Sequence, residues 1–553
     1  MPFNLMEEPW LPLRRRSGLL EWAPPWRISD RGGGGDDPFQ TLDPTRADLR
    51  GALMQFLVGL LQTAWPPANK RAWLAAWEKP PSPETLRKAF QRLAPAFNLD
   101  GPGPRFMQVE LPAGAKAEPV GLLLIDQPEP TKAKDNKAHF IKLGQVEGMC
   151  RACLAASLHT LQTFAPSGGR GHLTSLRGGG PLTTLILGDD LWQTLWLAVQ
   201  PAHAFWPDTP PPDPLTPRVF PWLGQERASD SKPIRLTPLQ ADPAHVFWGM
   251  PRRIWLDLDE PTGQGPCPVC GRDDQELFSR YHSRPNGIKY EGGWRHPLSP
   301  YYETKEGPAA VKGQPGGLSY RHWLGLVVQD EKKKQKRLPA QVVRRFTRDW
   351  EYLAPGRDLA AGPGIRLWAH GYDMDNKKAR SWVESEMPLV SCPAEVRDEF
   401  EALVRALVLS ADNAARTLAA CLKEAWFPPG SKVKSNQGAL GTVSGQLYHF
   451  TEPAFYQALA RMRDRLESRC DQTDPELVAC KETWLKTLQD AALDLFRHYS
   501  QAQQVGQADP KRIARAHNKL KAYLSPRAKV QRETMELPAL PKGTAAGGRG
   551  GRK

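Results

Sequence analysis

The chain has 553 residues, 40% hydrophobic and 24% charged, a composition that excludes fibrous and wholly disordered classes. Its length exceeds one ordinary core and argues for two to four domains. A formal net charge of +14 and a pI near 9.4 favour a polyanionic partner.

In chain order, the first forty residues read as short strands and turns ending in Gly32-Gly33-Gly34-Gly35. A helix follows, capped by Asp43 or Thr45, with Pro44 in its first turn and Leu49, Ala52, Leu53, Phe56, Leu57, Leu60 and Leu61 at helical spacing. Trp65-Pro66-Pro67 stops it, and a second helix is expected over 83–93. The most apolar stretch, 53–64, is too short for a membrane span of ~20 residues and contains Gln55 and Gln62. With an acidic opening unlike a signal peptide, the expectation is a cytoplasmic protein with reduced thiols.

From about 105 to 390 the pattern is mixed. β-like runs at 119–125 and 182–187 alternate with Pro-rich loops, and 201–238 is expected to be ordered only by docking. The basic run Lys332-Lys-Lys-Gln-Lys-Arg337 reads as a loop. After 391 four amphipathic helices are expected, over 393–427, from Thr451-Glu-Pro453, after Asp474-Pro475 and after Asp509-Pro510. They suggest a four-helix bundle. The fold class expected is α+β: a large mixed α/β domain over 1–390, a bundle over 391–528 and a disordered basic tail over 529–553.

Eight cysteines include two CxxC pairs, Cys150-Arg-Ala-Cys153 and Cys267-Pro-Val-Cys270-Gly271. Four soft ligands on two tight turns suit tetrahedral Zn2+, and an all-cysteine set leaves no open position, so the metal reads as structural. A redox CxxC and two unrelated reduced pairs are the rivals. Because the pairs lie far apart in sequence, the metal would staple distant segments of one domain.

Between them lies Ala165-Pro-Ser-Gly-Gly-Arg-Gly-His-Leu-Thr-Ser-Leu-Arg-Gly-Gly-Gly-Pro181. Its glycines permit close backbone approach, and Arg170 and Arg177 could meet phosphate or enter a narrow groove. It is no Walker A loop. The plain alternative is a mobile surface loop. The stretch Arg284-Pro-Asn-Gly-Ile-Lys-Tyr290 reads as a turn between strands carrying Arg284 and Lys289, or simply an exposed hairpin. His296-Pro-Leu-Ser-Pro300 is a rigid turn and no catalytic pair. Gly371-Tyr-Asp-Met-Asp-Asn-Lys-Lys378 lacks the spacing of a calcium loop and reads as a polar turn. Lys511, Arg512, Arg515, Lys519 and Lys521 form either a solvated or a phosphate-tracking face. Common hydrolase and kinase motifs are missing from the sequence.

The chain resembles the large subunit (CasA family) of the type I-E CRISPR surveillance complex, Cascade. The likeness is carried by Phe3-Asn-Leu-Met-Glu-Glu-Pro-Trp10, Arg46-Ala-Asp-Leu-Arg-Gly-Ala-Leu-Met-Gln-Phe-Leu, the cysteine pairs, Ser175-Leu-Arg-Gly-Gly-Gly-Pro181, Trp294-Arg-His-Pro-Leu-Ser-Pro300, Gly371-Tyr-Asp-Met-Asp-Asn376 and the helical C-terminus. The resemblance implies a non-catalytic subunit that reads the protospacer-adjacent motif (PAM) on double-stranded target DNA, mostly in the minor groove. It would open the duplex for guide pairing and recruit a helicase–nuclease. Its other partners would be the CRISPR RNA and the backbone and small subunits of Cascade. The implied PAM loop falls on Ser167, Gly168, Gly169, Arg170 and Gly171, a basic finger on Arg284 or Lys289, and a strand-splitting wedge on Asn376 and Lys377. The alternatives are a purely structural subunit of a nucleoprotein complex with an unspecific basic surface, and a nuclease with an unrecognised site.

Overall fold

The computed structural model describes residues 2–112, 114–127, 144–167, 171–207, 211, 213–224, 232–273, 275–314, 316–332, 335–353, 364–375, 378–390, 392–434, 439–468, 473–501 and 509–538. The chain divides into two compact units, one of Met1–Leu318 with Gly325–Leu389, the other of Ser319–Leu324 with Val390–Lys553. No helix among the described residues is long and apolar enough to cross a membrane.

The first unit begins with an antiparallel sheet in which β1 (Leu11–Arg15) lies between β2 (Leu20–Ala23) and β3 (Phe39–Leu42). Helix α1 (Ala47–Ala64) follows, and every residue from Gly51 to Thr63 is buried, as expected of a helix apolar on all faces. Phe56 is the hub of its core, with edge-on contacts to Trp10, Phe97, Phe106 and Trp248 at ring separations of 5.3 to 6.0 Å. At Gly51 the helix passes so near His370 and Trp382 that an added Cβ would lie 2.8 Å from either ring. The abundant tryptophans largely serve this packing: Trp10, Trp73, Trp196, Trp248 and Trp368 are among the largest fully buried side chains.

Helices α2 (Lys70–Glu78), α3 (Pro83–Gln91), α4 (Arg151–Phe164) and α5 (Leu191–Ala198) surround small sheets. Strand β4 (Lys116–Pro119) precedes a 3-10 turn at Val120–Leu123, so the β-like run 119–125 is mostly turn. It turns because Val120 N–H bonds Ser279 O at 2.9 Å and Gly121 lies hard against Val146 O. Next come β5 (Thr183–Leu187), β6 (Ile234–Leu236), β7 (Arg253–Leu256), β8 (Gly263–Gly265), β9 (Gln275–Leu277), β10 (Arg280–Arg284) and β11 (Ile288–Tyr290). Strand β10 lies antiparallel between β4 and β7, whereas β11 pairs parallel with β6. The two strands flanking Pro285 therefore belong to different sheets, and the segment is no hairpin.

The unit continues with β12 (Tyr301–Thr304), β13 (Gly307–Ala310), β14 (Asp330–Lys332) and β15 (Gln335–Leu338), which form one sheet in the order β13-β12-β15-β14. The expected basic loop 332–337 is thus largely strand. After α6 (Gln341–Leu353), the long strands β16 (Arg366–Asp375) and β17 (Lys378–Pro388) pair, with β5 on the other edge of β16. Gly371 to Asp375, expected as a turn, is strand, and Tyr372 O–H reaches back to Asp48 at 2.6 Å.

The second unit holds α7 (Arg397–Trp426), α8 (Ala439–Glu467), α9 (Pro475–Gln501), α10 (Pro510–Tyr523) and α11 (Lys529–Thr534), with α7 packed against α8, α9 and α10. Asp474 and Asp509 cap α9 and α10 through the backbone N–H groups of Leu477 and Arg512, at 2.9 and 3.1 Å. Helix α8 starts twelve residues before the expected Thr451 and carries Pro453 in its interior. The start of the tail is ordered: α11 forms at its head, and buried Arg532 bonds Glu482 at 2.8 Å and Pro538 O at 2.6 Å. Residues 539–553 lie outside the described residues.

Candidate metal centre and nucleic-acid interface

Cys150 is the N-cap of α4 and Cys153 lies in its first turn. The facing turn closes by Gly271 N–H to Cys267 O at 2.8 Å and Cys267 N–H to Arg272 O at 2.9 Å, with Gly271 at φ +71°. A pair of backbone bonds between Met149 and Phe278, each 3.0 Å, clamps the two segments together. Thr45, at the head of α1, donates its hydroxyl to Val269 O. The sulfur atoms of Cys150, Cys153, Cys267 and Cys270 all lie within 4.8 Å of one another, and Cys150 Sγ is 3.9 Å from Cys270 Sγ. A tetrahedron with arms of ~2.3 Å has edges of about 3.8 Å, so the four thiols fit one metal ion and are compatible with zinc. Hydrogen bonds from Cys150 and Cys153 push Cys270 down to about 7 and Cys267 lower still, while bonds to its neighbours and burial push Cys153 up. A bound divalent cation would favour the thiolate at all four.

Two arms run from this cluster. Helix α4, fourteen residues and about 21 Å long, leads from Cys150 to Pro166. Strands β9 and β10 lead from Cys270 to Arg284. The arms meet at their far ends: Asn286 N–H donates to Gly171 O at 2.8 Å. Gly171 has φ +80°, and a Cβ there would lie 2.4 Å from Pro285 Cβ. The turn itself is tight, with Asn286 at φ 60° and Gly287 pressed on Pro251 O. The cluster therefore sits a helix length from Pro166, and two elements connect it to the junction.

Arg252 and Arg253 brace this junction, a role the sequence did not disclose. Gln162 exchanges two 3.0 Å hydrogen bonds with the backbone of Arg252, the Arg252 guanidinium donates to Pro166 O, and Arg253 Nη1 donates to Pro285 O at 3.2 Å. Pro251-Arg-Arg253 matches no motif, so only the fold reveals it.

Of the expected DNA-contacting residues, Ser167, Gly171, Arg284 and Lys289 are described; Gly171 lies at the junction against Pro285, and Arg284 precedes that proline. Lys289 instead pairs with Glu291 at 2.6 Å. Gly168, Gly169, Arg170, Asn376 and Lys377 lie outside the described residues, the last two between the paired Asp375 and Lys378. Arg177 corrects an expectation. It is buried and donates to Thr183 Oγ1 at 3.0 Å, Ser299 Oγ at 2.8 Å and Gln55 Oε1 at 2.5 Å, so it is unavailable to phosphate. Its role is to anchor the return of the glycine loop to α1 and β5. Ser299 in turn donates to Leu182 O at 2.8 Å, which gives the His296–Ser299 turn a structural use.

A helical arm and a strand arm running from one four-cysteine cluster, in a β-rich unit followed in sequence by a helical one, describe a large two-unit protein. The family model described as CRISPR-associated protein Cse1 matches residues 4–495, so the chain belongs to the Cse1 family, the large subunits of type I-E Cascade. The fold is similar to that of Thermus thermophilus CasA (Cse1), at 18% identity over 94% of this chain and 99% of that one, TM-score 0.65. It is also similar to Thermobifida fusca Cse1, at 16% identity over 97% and 98%, TM-score 0.70. A third similar chain comes from a structure described as a CRISPR RNA-guided surveillance complex, at 16% identity over 95% and 99%, TM-score 0.66.

Proposed function

We propose that this subunit reads the PAM on duplex DNA with the backbone around Gly168 and Gly169, seated on the junction that Gly171 makes with Pro285. The junction is the observation that carries the reading, because Gly171, the last residue of the expected loop, packs on Pro285, the residue after Arg284, on a braced support. Minor-groove readout separates mainly A·T from G·C, which suits backbone contacts and shape in place of bidentate side chains. Of the two expected cations, Arg284 is the one at the junction, at the end of β10 next to Pro285, whereas Lys289 lies on β11 and pairs with Glu291. Asn376 and Lys377, at the end of the β16–β17 pair, then part the strands beside the motif, at a cost of a few kcal/mol that guide pairing offsets. Zinc at the cysteine centre is structural. The subunit is non-catalytic, works in the cytoplasm beside the guide RNA and the other Cascade subunits, and recruits a helicase–nuclease once the duplex is open.

The test is a mobility shift with the assembled complex, comparing PAM and scrambled duplexes. Gly168→Val with Gly169→Val is expected to abolish the PAM preference while metal content and thermal midpoint stay unchanged. A preserved PAM preference in that variant removes the reading and leaves a structural subunit.

A further inference from the structure

Between the β1–β2 ribbon, the heads of α1 and α4 and the turn after Val269 lies a cavity of about 140 Å³. Its wall includes Trp10, Trp22, Leu49 and Leu53, and beside them Cys153 and Cys270. Protein interiors are close-packed, so a space of this size against a set of metal ligands calls for a use. Holding an ion does not require it, because four thiols close the coordination shell by themselves. Of these thiols, Cys150, Cys153 and Cys267 are buried, whereas Cys270 is half-buried. At the β1–β2 turn the cavity borders solvent: Leu20, which lines it, is 40% exposed, and its neighbour Leu19 is 58% exposed. A water molecule fills ~30 Å³ of liquid, so hydrogen peroxide fits the space, and glutathione or a second protein's thiol does not.

We propose that Cys270 is a site of reversible oxidation, reached by peroxide through this cavity and resolved by Cys150. The thiolate, not the thiol, is the nucleophile towards peroxide, and metal ligation holds cysteines in that form. Cys270 Sγ attacks one peroxide oxygen: an S–O bond forms, the O–O bond breaks, and hydroxide leaves with the electron pair. Cys150 Sγ, 3.9 Å away, then attacks the sulfenic sulfur; the S–S bond forms, the S–O bond breaks, and a second hydroxide leaves. The two sulfurs together lose two electrons, and one peroxide gains them. Cys153 and Cys267 alone cannot fill a tetrahedral site, so the ion would be lost. The disulfide would tie the head of α4 to the turn before β9, where the two arms begin. The inference rests on the zinc reading above only for the charge state of the sulfurs.

The full-length chain, its metal content measured first, is treated with hydrogen peroxide while a chromogenic chelator follows the released ion and mass spectrometry maps the disulfides. Wild type is expected to release its ion, to yield a peptide pair linked through Cys150 and Cys270, and to recover both thiols with a dithiol reductant. Leu20→Trp, at the exposed edge of the cavity, and Ala156→Leu, which fills it from α4, keep all four ligands. Each is expected to slow release about tenfold at unchanged starting metal content, because access sets the rate. Glutathione disulfide is expected to leave the ion in place. Release at the wild-type rate in both variants overturns the proposal, as does the absence of a disulfide at Cys270. A chain purified without metal removes the zinc reading, whereas a Cys150–Cys270 link formed by peroxide in that chain still upholds this one.

Discussion

At the scale of single residues, burial decides what the polar groups of this protein do. His245 shows it well. Its Nδ1 lies 3.2 Å from Arg218 O and its Nε2 3.1 Å from Tyr290 Oη, which itself accepts from Met250 N–H at 2.8 Å. That chain is satisfied by a neutral imidazole donating at Nδ1; a second ring proton would leave the phenolic hydrogen without an acceptor. Burial accordingly lowers the His245 pKa to about 4 from 6.5. Below pH 6.5 the unfolded chain takes up a proton that the folded chain refuses, so stability falls as pH drops from 6.5 towards 4. The neutral variant His245→Gln is expected to reduce the stability lost between pH 6.5 and 4.5 by about 2 kcal/mol, measured by urea unfolding at both values. An unchanged pH dependence would show that His245 titrates alike in both states. Such burial was not legible from sequence, where Arg177 looked like a phosphate ligand because an arginine among glycines reads as exposed. What was legible were groups whose partners are near in sequence, such as Cys267 and Cys270 on one turn.

At the scale of elements, local signals were readable and contextual ones were not. Asp474-Pro475 and Asp509-Pro510 open helices because capping needs only the following turn. The same logic misplaced the start of α8 at Pro453, a proline tolerated mid-helix where Phe455 and Leu459 are buried around it. Helix α2 carried a readable signal that was passed over: Asn69 accepts from Ala72 N–H at 3.0 Å, with Trp73 and Ala76 buried one turn apart. Least foreseeable is Ser319–Leu324, which leaves the β-rich unit in sequence but belongs to the helical one. Tyr320 is wholly buried there, stacked on Phe455 at 4.3 Å and hydrogen-bonded to Thr451 at 2.7 Å. Nothing in six residues of a Pro/Gly-rich stretch announces such an insertion. Tyr320→Phe, which keeps the ring and loses one bond, is expected to cost about 1 kcal/mol in denaturant unfolding of the helical unit. Tyr320→Ala is expected to cost about 3–5 kcal/mol. Equal effects of the two would mean that the ring contributes no packing.

At the scale of the whole molecule, the first unit has no dominant sheet: its strands are spread over six sheets of two to four strands each among the described residues. Such a unit gains little long-range order from backbone ladders and depends on side-chain packing around α1 and on cross-links between distant segments. A metal ion held by the cysteine centre would be such a cross-link. It would join Cys153 to Cys267 across more than a hundred residues, a closure that a chain-entropy argument values at about 4–5 kcal/mol. The same centre fixes the near ends of the two arms whose far ends form the Gly171–Pro285 junction. Cys270 is the least buried of the four thiols, so Cys270→Ser removes a ligand with little added strain. Calorimetry of that variant is expected to lower the midpoint of the first unit by about 5 °C, while the helical unit, which contributes no ligand, unfolds as before. Metal analysis is expected to show the ion lost, and PAM preference is expected to weaken in parallel, because arms released at one end no longer hold their junction at the other. A metal-free variant whose first unit melts at the wild-type temperature would make the cluster incidental, and packing around Phe56 would then have to carry the arms alone.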